Sequence, residues 1–188
     1  MEKITKILVD EHKNILKIAD ALEKECNSID SGKEIDKAFF TNAIEFIKNY
    51  ADKFHHAKEE DILFKEFNES TKDECAHCNP VEQMLIEHDE GRANVKLMKE
   101  GLETNDKKKL ISGARGYAQL IHEHIYKEDN ILYPMTEEAI NKTTKNEMLK
   151  KYEKIAKERE KEIEKYVEFV KSLKDLLLEN IQLQQEYY

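Results

Sequence analysis

The sequence predicts an all-helical protein, and three observations carry the prediction. Its 188 residues include 5 Gly, 2 Pro and no Trp, and 38% are charged against 39% apolar, a balance rich in helix formers. Apolar residues recur at three- and four-residue steps through most of the chain. Finally, two stretches share one pattern of His, three residues, Glu, three residues, Leu, aromatic: His55-His56-Ala57-Lys58-Glu59-Glu60-Asp61-Ile62-Leu63-Phe64 and His124-Ile125-Tyr126-Lys127-Glu128-Asp129-Asn130-Ile131-Leu132-Tyr133. A histidine and a glutamate four apart lie one turn apart on one helical face.

Composition narrows the function classes. The net charge is −9 without a basic stripe, so no nucleic-acid partner is expected. No apolar run approaches the ~20 residues that cross a bilayer, and the start Met1-Glu2-Lys3-Ile4 lacks a signal peptide's apolar core, so no membrane partner is expected either. Three cysteines do not make a disulfide scaffold, and a reducing, cytoplasmic location fits them best. The chain divides into a helical unit over residues 1–140 and a C-terminal amphipathic helix over 141–188.

The first helix is expected over about residues 3–27, with Ile4, Leu8, Ile15, Ala19, Leu22 and Cys26 on its apolar stripe and His12 among them. Ser31 with Glu34 reads as a capping box that opens a second helix running to about residue 69. Stepping back from His55 at helical spacing meets Ala51, Ile47 and Ile44; stepping back from His56 meets Asp52, Asn49 and Glu45. His55 and Glu59 are therefore expected to face the core, and His56 and Glu60 the flank. A carboxylate on an apolar stripe needs a cation. The polar stretch 70–79 contains Cys75-Ala76-His77-Cys78, which is either a redox or zinc motif one ligand short of a structural site, or an exposed loop.

Asn79-Pro80-Val81-Glu82 starts a third helix, with Val81, Met84, Leu85, His88, Val95 and Met98 on one stripe. Arg92, one turn past His88, either pairs with a buried carboxylate or snorkels to the edge. Asn105 or Asp106 caps a fourth helix whose stripe is Leu110, Ala114, Tyr117, Leu120, Ile121, His124, Glu128, Ile131 and Leu132; His122 points elsewhere, and Pro134 ends or kinks the helix. From a capping box at Thr144 and Glu147, one long helix carries Leu149, Tyr152, Ala156, Ile163, Tyr166, Val170, Leu173 and Leu177 as a heptad-like seam broken only by Arg159. The seam either folds back on the bundle or pairs two subunits, and a homodimer through it is the favoured expectation.

Four helices thus each place one histidine on an apolar stripe, His12, His55, His88 and His124, and two add a glutamate, Glu59 and Glu128. Six such ligands suit two metal ions, two imidazoles to each, with both glutamates free to bridge. Mixed imidazole and carboxylate ligation in a helical bundle favours iron or manganese over structural zinc, and leaves positions open for small ligands. His56, Glu60, His122 and Asp129 either support the ligands and line the way in or are solvated flank residues. Tyr117, two turns before His124, lines the pocket or is an ordinary core tyrosine.

On these motifs, together with Glu87-His88-Asp89-Glu90-Gly91-Arg92 and the run His124 to Pro134, the chain resembles hemerythrin-like (HHE cation-binding) proteins of bacterial type over about residues 1–140. The resemblance implies an up-down-up-down four-helix bundle around a non-haem centre of two Fe ions, oxo- or hydroxo-bridged, with ligands on His12, His55, Glu59, His88, His124 and Glu128. It departs from the oxygen carriers, which have a histidine where this chain has Arg92; they also use an aspartate at the spacing where Asp129 stands here, but Glu128 matches the first motif and the apolar stripe better. The two His-x3-Glu pairs are similar to the family's repair and sensor members. The expected function is binding or sensing of O2 or nitric oxide. The alternatives are a di-iron enzyme acting on peroxide, nitric oxide or a damaged iron centre, and a metal-stapled helical interaction protein.

Overall fold

The apolar stripes decide which face of each helix is buried. The computed structural model describes residues 1–72 and 80–185, with side chains as far as Leu173; among these there is no strand. The Cys75-Ala76-His77-Cys78 motif lies outside the described residues, as does the side chain of Leu177. Helix α1 (Lys3–Asp30) buries the stripe from Ile4 to Cys26, His12 included. Helix α2 (Lys37–Phe46) is capped by Asp36, whose carboxylate accepts from the Phe39 amide at 2.9 Å, and not by Ser31 and Glu34. The Ser31 hydroxyl is instead turned back onto the Asn27 carbonyl of α1, at 2.9 Å.

α2 continues unbroken through two π-helical stretches, Ile47–His56 and Glu59–Leu63, into α3 (Phe64–Thr71). A π-helix closes i→i+5 hydrogen bonds, so successive residues turn through a smaller angle than in an α-helix. That is why His55 and His56 are both buried, where a uniform 3.6-residue period puts His56 on the flank. α4 (Pro80–Thr104) and α5 (Lys107–Lys127) form a hairpin. Asn105 turns it with φ 55, and Asp106 caps α5 by accepting from the Lys109 amide at 3.1 Å. Gly113 brings the two helices together, since a Cβ there would lie 2.5 Å from the Met98 amide nitrogen. A third π-helical stretch, Glu128–Leu132, leads into α6 (Tyr133–Ala139). Pro134 does not stop the chain there; helical backbone runs on through it into α6. The widened turn also swings Ile131 off the stripe to 51% exposure, and Leu85 on α4 is likewise exposed.

Two apolar clusters show the direction of each rod. One unites the start of α1 (Ile4, Leu8), the end of the second rod (Ile62 to Phe67), the start of α4 (Val81, Met84) and the end of the fourth rod (Leu132, Tyr133). The other unites the opposite ends, including Leu22, Phe40, Met98 and Leu110. The rods therefore run up, down, up, down, with α1 packed on the second and fourth rods and α4 on the same two.

The C-terminal region is two helices rather than one, α7 (Lys142–Glu158) and α8 (Glu160–Gln185). Asn141, not Thr144, caps α7, accepting from the Thr144 amide at 3.0 Å. Arg159 breaks the seam because its backbone leaves the helical region (φ −112, ψ 10) while its guanidinium donates to the Asn49 and Lys53 carbonyls of the first π-helical stretch. Met148, Tyr152, Tyr166, Val170 and Leu173 are buried against the chain's own bundle.

Candidate metal centre

Between the two apolar clusters lies a polar layer. On each rod its members fall between residues of the two clusters: His12 between Leu8 and Ile15, His55 to Glu59 between Phe54 and Ile62, His88 between Met84 and Val95, and His124 to Glu128 between Ile121 and Leu132. All six expected ligands are brought together there, none more than 2% exposed.

The histidines form two pairs, each with one member from either side of a helix–helix contact. His12 Nε2 and His55 Nε2 are 2.9 Å apart; His88 Nε2 and His124 Nε2 are 3.1 Å apart. Each glutamate offers one oxygen to each pair. Glu128 places Oε2 3.2 Å from His12 Nε2 and Oε1 3.3 Å from His124 Nε2. Glu59 places Oε1 3.6 Å from His55 Nε2 and Oε2 3.6 Å from His88 Nε2. Both oxygens of Glu128 and Oε2 of Glu59 are buried without a hydrogen-bond partner. Only charge contacts with the His12 and His124 rings offset the burial of the Glu128 oxygens, and a cation between each imidazole pair would satisfy all of these oxygens.

Each of these four histidines is held from behind by a second carboxylate on Nδ1. The partners are Asp129 for His12 at 2.8 Å, Glu11 for His55 at 2.9 Å, Glu60 for His88 at 2.7 Å and Glu87 for His124 at 2.9 Å. An ionised carboxylate only accepts, so Nδ1 carries a proton and Nε2 faces inward, where a cation can bind once any proton there is displaced. Two of these carboxylates are braced in turn: Lys58 donates to Glu11, and Lys127 to Glu87. Arg92 spans Asp52, Asp89 and Glu60 at the surface, so it reaches His88 through Glu60.

The charge states follow the geometry. Burial alone disfavours a charged His12, but Asp129 and Glu128 outweigh it and lift its pKa to about 9. For His124, burial is again outweighed, by Glu128 and Glu87, and the pKa rises to about 10. Burial, helped by the neighbouring cations, holds His55 well below its ordinary range. Glu59 is pushed up by burial and by the Glu128 charge; Glu128 is held down, against burial, by His124 and His12. Hydrogen bonds from His88 and, against some burial, from Arg92 hold Glu60 at about 2.

The remaining candidates separate clearly. Tyr117 is buried and lines a pocket of about 300 Å³ whose inner wall is His56, His88 and His124. His122 is not in the centre; its Nε2 pairs with Asp20 at 3.0 Å, half-exposed. His56 is 6% exposed rather than on the flank. Three contributors do not stand out from the sequence pattern. Glu11 and Glu87 each stand immediately before a ligand histidine, and that repeated Glu-His pair is the one signal that points to them. Tyr133 occupies the aromatic position of the second motif, and its hydroxyl donates to Glu59 while lying 3.3 Å from His12 Nε2.

Comparison with known proteins places the chain in a family. The hemerythrin HHE cation-binding domain model matches residues 3–136, well over half of the chain. Neither the curated proteins nor the solved structures provide a match. The matched span contains all six inward-facing ligand candidates and all four carboxylates behind them, and the chain belongs to the hemerythrin HHE cation-binding family.

Proposed function

We propose that the bundle holds two iron ions and uses them to bind or sense a small molecule, O2 or nitric oxide. The observation that carries this reading is that Glu59 and Glu128 each direct one oxygen to each of two imidazole pairs. Two nitrogens and two oxygens per ion suit iron or manganese better than a closed structural zinc site, and leave positions open. Bound iron would supply electrons to such a ligand.

The chain's own residues have definable parts in this. The four outer carboxylates fix the imidazole tautomers and ring directions. The two apolar clusters keep water from the carboxylates, which strengthens their hold on a cation. Tyr117, Val95 and Ile121 make the approach to His88 and His124 apolar, which suits an uncharged diatomic. The same open approach favours a second reading, enzymatic breakdown of peroxide or nitric oxide.

The test is metal content and the visible spectrum of protein loaded with ferrous iron without oxygen. Two irons per chain, and a new absorption band on exposure to O2 or nitric oxide, are expected. Zinc alone, or no metal, overturns both readings. Sustained turnover of peroxide or nitric oxide then separates an enzyme from a sensor.

A further inference from the structure

We infer that His56 is a fifth imidazole ligand, so that the cation held by His88 and His124 takes three ring nitrogens and the cation held by His12 and His55 takes two. The inference rests on the two-cation reading and adds a residue to it. A ring nitrogen of His56 lies within 4.8 Å of those of His88 and His124, and the three make a buried cluster distinct from His12, His55, Glu59 and Glu128. The His56 ring stacks on His88 with centroids 3.8 Å apart and meets His124 edge-on at 5.9 Å.

Two features argue against an ordinary core histidine. First, His56 is 6% exposed, yet its Nδ1 is buried without a hydrogen bond, so an ordinary core role leaves a polar atom of the ring unsatisfied. Second, Nδ1 faces the Asp52 carboxylate, 3.8 Å away, which repeats in looser form the arrangement behind each of the other four histidines. A small ring movement would close that bond and present Nε2 inward. The position matching His56 in the second motif is Ile125, which is buried and cannot ligate, so the extra nitrogen goes to one cation only. Arg92 cannot take that place, because it is tied to Asp52, Asp89 and Glu60.

The test uses full-length protein with histidine nitrogens labelled, titrated with zinc as a diamagnetic probe and followed by NMR. At two zinc ions per chain, the ring nitrogens of His12, His55, His56, His88 and His124 should all shift to metal-bound values, with His122 unchanged. An unshifted His56 at full loading overturns the inference and leaves the two-cation reading intact; failure to bind two ions at all overturns that reading instead. In parallel, His56→Leu should keep one cation at native affinity and weaken the other by about tenfold or more, as loss of metal-supporting groups does. Two cations retained at native affinity in a variant that melts like the native protein contradict the assignment.

Discussion

The two halves of the centre are built on one plan and differ in how they are closed. Each half has a Glu-His pair on its first helix and a Lys-Glu-acid run on its second: Glu11-His12 with Lys58-Glu59-Glu60, and Glu87-His88 with Lys127-Glu128-Asp129. On the His12–His55 side, Tyr133 stacks on His12 and its hydroxyl reaches in, while Lys58 is 1% exposed beneath Phe54 and Tyr152. On the His88–His124 side the matching aromatic is Phe64, which stacks on His88 with no hydroxyl to offer. Lys127 is a third exposed, and the 300 Å³ pocket opens onto the histidines. The difference teaches that one residue pattern can be closed in two ways: one side is sealed by α7 and a tyrosine, and the other faces an open pocket.

The largest expected effect removes what the halves share. Glu59→Ala and Glu128→Ala should each abolish binding of the cation pair, measured by metal analysis, because each glutamate serves both imidazole pairs. Retention of two ions by either variant would break the bridging assignment. Glu60→Ala should keep both ions with affinity reduced about 10–100-fold, as for removal of a group behind a ligand.

The next pair separates the halves. Glu11→Ala and Glu87→Ala both free a ligand histidine's Nδ1, but Glu11→Ala also strands the buried Lys58 cation. It should lower stability by about 3–5 kcal/mol, whereas the Lys127 side chain can turn to water after Glu87→Ala, at little cost. Equal melting temperatures for the two variants would contradict the sealed-against-open contrast.

A pH effect should follow from the raised pKa values of His12 and His124, about 9 and about 10 against an ordinary 6.5. Without a cation these rings hold protons at neutral pH, and a cation must displace them, so metal affinity should rise with pH and loading should release protons. The sign for the metal-free fold is opposite: stabilisation present below about pH 6.5 should be lost as pH climbs through 9 and 10. Thermal melts with and without chelator across that window check both. The smallest effect is kinetic. A Cβ on Gly91 would make ordinary contact with Leu120 and Tyr117 at 3.8 and 3.9 Å, so Gly91→Ala should fold normally, and Gly91→Leu should slow ligand association without changing metal content.

Much of this is legible in the sequence, for physical reasons. The four stripes read correctly apart from Leu85 and Ile131 because buried faces repeat at 3.6 residues, and a carboxylate on such a stripe calls for a cation. A uniform period misplaces His56 and Ile131 because the helices widen within the motifs themselves, and local hydrogen-bond register is not a property that residue types announce. Glu11 and Glu87 resemble solvated flank residues, since a group that acts from behind a ligand sits at the edge of the polar face. The C-terminal seam could meet a second chain or its own bundle equally well from the sequence; its apolar residues pack into both clusters of the bundle, with Arg159 anchored on Asn49 and Lys53 at the break.

The central claim, two cations bridged by two glutamates, is tested most directly by X-ray absorption on iron-loaded protein. The account predicts two irons per chain and an iron–iron scattering path in the range of about 3.5–4 Å typical of paired sites. A single iron per chain, or two with no such path, would contradict it.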